Sequence, residues 1–253
     1  MLHFHKFSSE VPAPVPAREV YHQRQPGKGW PEECPPMRAA NAFGWDLLAP
    51  TDLVFRQESG KWRLENPLSL EADWVFTPDG EPDESGLGGV PLVQQNAWFW
   101  DEDQMLPHVI SPEVYPSIAN QVKVSTFLFL RTDVNELLAF SDIPNLERPF
   151  RVLSAIVDAD WYPASYPWHC VLALDHGRDE IRIARGDPLC RVQIVRRDHY
   201  FAREMTLAEF EAFFQRGQDW LGRHGRNADA SGTFDITRTY VKQQQLSRFS
   251  VML

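Results

Sequence analysis

The chain is poor in cysteine: Cys34, Cys170 and Cys190 are odd in number and scattered, which excludes a disulfide framework. Long apolar runs are missing too, and nothing approaches the roughly 18 consecutive apolar residues that a membrane span needs. The opening MLHFHKFSSEVPAPVP lacks an extended apolar core, so a secretory leader is not expected. Every asparagine fails the Asn-x-Ser/Thr acceptor pattern, as at Asn41-Ala-Phe and Asn120-Gln-Val. These gaps together predict a cytoplasmic protein. Positive charge is also in deficit, with 25 Lys and Arg against 35 Asp and Glu. A net charge of −10 argues against a nucleic-acid polymer or an anionic membrane as partner, because both are held by basic surfaces. A small-molecule ligand is the partner this leaves, and a local basic pocket remains compatible with the charge. Catalytic signatures are absent as well: no Walker A loop, no dinucleotide fingerprint, no paired CxxC, no HExxH and no GxSxG. None of the eight histidines is followed two residues later by Asp or Glu, so the iron-binding facial triad is not signalled.

What the chain does have is aromatic bulk and short alternating segments. Nine Trp and sixteen Phe supply core material for β-structure. Residues 1–45 form a proline-rich arm that ends in a Cys-Pro-Pro segment, and proline there forbids a long helix. Val20, Tyr21, Trp30 and Met37 give the arm apolar anchors. Residues 46–120 hold β-hairpins, with 52–57 and 61–65 flanking a Glu58-Ser59-Gly60 turn, a third strand at Asp73, and an acidic, glycine-rich loop from Pro78 to Pro91. Residues 121–200 read as further strands, at 122–131, 151–158, 168–174, 180–184 and 189–195. A helix is predicted over 206–222, because Thr206 and Glu209 make a capping box and Leu207, Phe210, Phe213, Phe214 and Leu221 recur at helical spacing. Residues 223–253 form a tail. The reading is one mostly-β domain over 1–253, a sandwich or barrel of short strands with one C-terminal amphipathic helix.

Several residue groups suggest chemistry. Asp158 and Asp160 fall on one side of an extended segment, and a carboxylate at a strand-end turn can act as a base or orient a hydroxyl. Paired aspartates can also hold a divalent metal, so the cofactor stays open between a divalent metal and none. In the segment Cys34–Trp45, Arg38 suits anion clamping and Asn41 suits orientation of a ligand carbonyl or amine. Arg131, and Arg196 with Arg197, are further anion candidates. Cys34 reads as a buried inert thiol, with a reactive thiolate or a metal or haem-iron ligand as the alternatives, and His3 and His5 alternate on a first strand and could share a metal. His169 opens an apolar strand and is expected near the aspartates.

The stretch Ala155-Ile-Val-Asp158-Ala-Asp160-Trp161, followed by Ile183-Ala-Arg-Gly186-Asp187-Pro-Leu-Cys-Arg-Val-Gln-Ile, resembles the aspartate turn and later Gly-Asp strand of the dUTPase and dCTP-deaminase proteins. The likeness covers about a fifth of the chain. It implies a β-clip core, with Asp158 where those enzymes activate water, Trp161 where they place a tyrosine under the sugar, and a homo-oligomer, namely a trimer. The sequence departs from that pattern at two places. Phe129-Leu-Arg131-Thr132-Asp133 stands where the phosphate-binding Arg-Ser-Gly is expected, and Trp161-Tyr162-Pro163 replaces Tyr-Arg-Gly. Cys34-Pro-Pro-Met-Arg38 through Trp45, Pro149-Phe150-Arg151 and Gly186-Asp-Pro-Leu-Cys-Arg also resemble a set of bacterial proteins of unassigned function. The resulting expectation is a small-molecule enzyme acting on a polar or anionic, nucleotide-like substrate with an aspartate base. The alternatives are a non-catalytic ligand-binding or assembly module, or a metal- or haem-dependent enzyme using Cys34 or histidines.

Overall fold

Alternation of apolar and polar residues in short runs makes strands whose one face is buried, and the chain resolves into many of them. The computed structural model describes residues 1–18, 34–75, 91–100, 114–162, 166–224, 226–227 and 234–235. The anchors Val20, Tyr21 and Trp30, nearly all of the acidic loop, and most of the tail lie outside them. In chain order the first elements are β1 (His3–Lys6), β2 (Val15–Pro16), α1 (Pro35–Ala42), β3 (Trp45–Leu48), β4 (Leu53–Glu58), β5 (Lys61–Leu64), β6 (Ser69–Val75), β7 (Pro91–Gln95) and β8 (Ala97–Phe99). A 3-10 turn at Pro116–Asn120 leads into β9 (Gln121–Ser125), β10 (Leu128–Arg131), β11 (Glu136–Ser141), β12 (Phe150–Val152), β13 (Ala155–Val157), β14 (His169–Leu174), β15 (Glu180–Ile183) and β16 (Pro188–Arg196). Then come α2 (Leu207–His224), β17 (Arg226–Asn227) and β18 (Phe234–Asp235). The protein is mostly β. The chain divides into two compact units: Met1–Glu32 with Pro36–Asp198, and Glu33–Pro35 with His199–Leu253. Among the described residues no helix is long and apolar enough to cross a membrane.

The larger unit is built on two antiparallel sheets, one ordered β13-β11-β16-β3-β2 and the other β12-β14-β9-β8. Three smaller pairings, β15-β4-β5, β1-β10 and β6-β7, accompany them. Val122, Val124 and Leu172 of one large sheet, Leu138 and Val192 of the other, and Leu53, Phe55 and Ile181 of the β4 sheet are all buried in a single cluster. The β4–β5 hairpin closes as its sequence predicts. Ser59 and Gly60 both take positive φ, 51° and 80°, as a two-residue hairpin loop requires.

Two predicted strands are each broken. The run 122–131 splits at Phe127, whose φ is +52°, and the hydroxyls of Ser125 and Thr126 accept the amides of Phe127 and Leu128. Ser125, Thr126 and Phe127 are fully buried, so the alternation continues in sequence while the backbone turns. The run 151–158 also splits. β12 pairs with β14 and β13 with β11, so the chain changes sheets between Val152 and Ala155.

A buried ion pair ties α1 to the five-stranded sheet. Arg191 on β16 lies opposite Asp46 on β3, and its Nε donates to Asp46 Oδ1 at 2.6 Å, with both side chains almost wholly buried. Its Nη1 donates to the carbonyls of Ala40 and Phe43, which satisfies the open end of α1. Gly44 makes the passage from helix to strand. Its φ is +95°, and a Cβ there would sit 2.3 Å from the Val192 carbonyl oxygen, so no other residue fits without displacement. Leu189 is the extra residue of a bulge, since the register shifts between Pro188 and Cys190.

In the smaller unit α2 starts where the capping box predicts. The Thr206 amide donates to Glu209 at 2.8 Å, and the Glu209 amide returns a bond to the Thr206 hydroxyl at 3.3 Å. Phe210 and Phe214 stack one turn apart, with centroids 5.8 Å apart. Arg203, together with these Thr206 bonds, holds the Glu209 carboxyl down from 4.5 to about 2.

Two expectations follow. Replacing Asp46 by Ala leaves a fully buried guanidinium without its counter-charge, and denaturant unfolding should record a loss of about 3–5 kcal/mol; a loss under ~1 kcal/mol would show that the pair does not hold α1. Because Glu209 titrates lower folded than unfolded, its contribution is complete above pH 4.5 and is lost as pH falls through about 2. Far-UV circular dichroism should therefore show a helical loss in that window that Glu209→Gln reduces.

Candidate functional site

Asp158 and Asp160 sit just after the edge strand β13, in one tight turn. The Tyr162 amide donates to the Asp158 carbonyl at 2.9 Å, and the buried Ala159 gives its carbonyl to the Thr132 amide at 3.2 Å. That bond fixes the turn beside the end of β10, next to Arg131. Asn135 completes the frame. Its φ of +65° lets its amide reach Asp160 Oδ2 at 3.2 Å, while its carbonyl accepts the Arg197 amide at 2.9 Å.

Both carboxylates are clasped by one guanidinium. Arg197 places Nη1 2.5 Å from Asp158 Oδ1 and Nη2 2.7 Å from Asp160 Oδ1. The bond to Asp158 leads the effects that raise the Arg197 pKa above its ordinary value, with the Asp160 bond adding to it. The two acids differ in access: the Asp160 side chain is 8% exposed and that of Asp158 is 42% exposed. Asp158 therefore faces solvent, and beyond the Arg197 pair its carboxylate has no further partner among the described residues. Trp161 is 65% exposed beside it, meets Tyr162 edge-on at 6.0 Å, and Tyr162 in turn leans on Trp168. The site is a carboxylate pair with a cation and an open aromatic face, set on the surface.

The structure brings together some of the predicted residues and separates others. Asp158, Asp160 and Trp161 share one turn, and Arg131 ends β10 beside it, next to the bond from the Thr132 amide to the Ala159 carbonyl. Arg196 ends β16 one residue before Arg197, exposed and 3.3 Å from Asp198. Arg38 and Asn41 stand apart. Both lie on α1, where Asn41 is buried and accepts a bond from Asn145 at 2.8 Å. α1 is held at Arg191, opposite Ser141, whereas the aspartate turn meets the Glu136–Arg196 end of the same strand pair. Five residues of extended strand separate those rungs, roughly 17 Å, too far for both groups to touch one small ligand in a single chain.

The other candidates are corrected or relocated. His169 packs edge-on to Trp98 at 4.6 Å and stacks on Tyr166 at 5.3 Å, an aromatic packing role. His3 meets Asp133, with Nε2 2.7 Å from Oδ1. Among the described residues no three His, Cys, Asp or Glu side chains cluster closely enough to hold a metal ion. Asp187 caps its own turn, accepting the Ala184 amide at 2.9 Å beside Gly186 at φ +90°. Cys34, expected as a buried thiol, is exposed because it precedes the first turn of α1 and not a strand; Cys170 and Cys190 are the buried ones. A bond to Cys170, with burial, pushes the Cys190 thiol well above its ordinary value. Sequence reasoning left Arg197 as part of a charged pair; its alternation with Arg196 at the end of β16 was the available sign that only one of them turns toward β13.

The sequence matches no protein family, and no curated protein matches it. Among solved structures, a mutant dUTPase from phage phi11 of S. aureus, described for the coordination of a structural Mg(II) ion, aligns with 83% of this chain and 99% of its own. The identity is 8% and the TM-score 0.34, too slight a likeness to carry a residue from one chain to the other.

The thiols offer a simple check of the placement. An aromatic disulfide reagent should modify one cysteine, Cys34, in the folded protein and all three after denaturation. Native reaction at Cys170 or Cys190 would contradict their burial.

Proposed function

We propose that the protein binds a small polar or anionic molecule at the aspartate turn, and that Asp158 orients this ligand without taking a proton from it. The observation that supports this reading is the clasp of Arg197 on both carboxylates. Taking up a proton would end the ion pair of Asp158, whereas accepting a ligand hydroxyl leaves it intact. Trp161 offers a flat exposed face for a ring, as a nucleotide base or other planar group would need. Arg131 stands at the adjacent strand end, ready for an anionic group. The departures from the dUTPase pattern at Arg131-Thr132-Asp133 and Trp161-Tyr162-Pro163 fit a scaffold that keeps a binding turn and has lost phosphate chemistry.

One feature favours an enzyme instead. The side chains of Asp158 and Arg197 are 42% and 38% exposed, so an anionic substrate can reach Arg197 and draw it away, which frees Asp158 as a base. Thermal melts with deoxynucleotides, amino acids and organic acids, with and without magnesium, separate the readings, because a true ligand raises the Tm with dose. Asp158→Asn should abolish the ligand-induced shift while lowering the Tm of the free protein by no more than about 4 °C. An unchanged ligand shift in the variant would remove Asp158 from the site. Product formed by the wild type and lost in Asp158→Asn would establish the enzyme.

A further inference from the structure

Helix α2 turns an apolar stripe toward water. Leu207, Phe210, Phe214, Gly217 and Leu221 recur at three- and four-residue spacing and so lie on one side, with Phe213 beside them. Such a side is ordinarily the buried one, yet every residue from Leu207 to Gly217 is exposed, and Phe210, Phe213 and Phe214 are 49–56% open. A helix draws most of its stability from burying its apolar side, so one left this bare is marginal. Leu207 and the three rings leave roughly 400 Å² of apolar surface open, and Tyr200, Phe201 and Met205, exposed just before the helix, add about as much again. The total, about 800 Å², is what one partner brings to an interface of standard size.

Gly217 and the charges narrow what fits there. A glycine inside a helix costs about 1 kcal/mol relative to alanine. No atom lies within 4 Å of a Cβ added at Gly217, so its own surroundings do not demand a glycine. It leaves a notch in the stripe, seven residues beyond Phe210 and therefore on the same side. Charge is divided along the helix: Glu209 and Glu211 lie in its first half, Arg216 and Arg223 in its second, with Asp219 between those two. Arg203 and the Thr206 bonds already hold Glu209, and Asp219 accepts from Gln215 at 2.8 Å. Glu211 and Arg216 make no ion pair among the described residues. Two copies of α2 laid in the same direction set like halves together. Laid in opposite directions, they set the acidic half of each against the basic half of the other and oppose their dipoles.

We propose that α2 packs against α2 of a second copy of this chain, antiparallel about a two-fold axis that passes between Phe213 and Phe214. Positions 210 and 217 are equidistant from that axis, so the Phe210 ring of each copy fills the notch left by Gly217 of the other. Phe213 and Phe214 close the centre. The same patch serves both copies, as a two-fold dimer requires.

Sedimentation of the full chain from about 1 μM to about 100 μM tests this. The expected result is a species of twice the 29.2 kDa chain mass, formed in a concentration-dependent way. Phe210→Glu should weaken the dimer at least about 100-fold. Gly217→Gln, which favours a solitary helix, should weaken it at least about tenfold because the notch is filled. In a Cys34→Ser background, Phe214→Cys lies next to its own copy at the axis and should cross-link on mild oxidation. Leu207→Cys, roughly 20 Å from its copy, should not. The proposal is overturned by a monomer throughout the range, by an assembly other than a dimer, by a dimer that either substitution leaves at wild-type strength, or by cross-linking through Leu207→Cys.

Discussion

The buried pair of Arg191 and Asp46 is the constraint on which the arrangement of the larger unit depends. A guanidinium with no exposure to water has to have its charge and its donors met inside the protein. Asp46 meets the charge from the neighbouring strand, and the carbonyls of Ala40 and Phe43 take two further bonds. The helix end and the sheet are therefore each other's solution: α1 has carbonyls to satisfy, and Arg191 has donors to place. Gly44 makes the connection short enough, since the approach of its backbone to Val192 leaves no room for a side chain. An apolar residue at 191 would bury as well but would leave the end of α1 with only the Gln193 side chain donating to the Phe43 carbonyl, at 3.3 Å.

That arrangement also decides what can form a site. With α1 fixed at one end of the β11–β16 ladder, Arg38 and Asn41 belong to that end, and the loop 142–149 serves it too, through Asn145 on Asn41 and Arg148 on the carbonyls of Pro188 and Leu189. The other end holds the aspartate turn, framed by Thr132, Asn135 and Arg197. Charge is sorted accordingly. Acids and bases at the turn neutralise one another, whereas Arg151, on β12, is a cation without a paired acid among the described residues in a chain of net charge −10.

Much of the local structure was legible in the sequence, and the reasons are physical. The β4–β5 hairpin carries alternation on both arms and a Ser-Gly turn that tolerates positive φ. The α2 start carries its own cap, in which Thr206 and Glu209 satisfy each other's amides. The breaks were not legible. Ser125 and Thr126 read as ordinary strand residues, because their hydroxyls bond to backbone amides only once Phe127 has turned. The change of sheet after Val152 likewise leaves no mark, since both β12 and β13 are extended and each finds a different neighbour. Nothing local marks Arg191 as buried, because the helix end that takes its donors lies more than a hundred residues earlier.

The aspartate turn shows how far residue type alone reaches. Spacing places Asp158 and Asp160 together, and the structure keeps them together, but their chemistry is set by a residue 37 positions beyond Asp160. A carboxylate facing water and one facing a guanidinium are written identically in sequence. Residues whose roles rest on local backbone chemistry are thus readable in advance. Those whose roles rest on a distant partner are not, and in this protein the second group holds the candidate site.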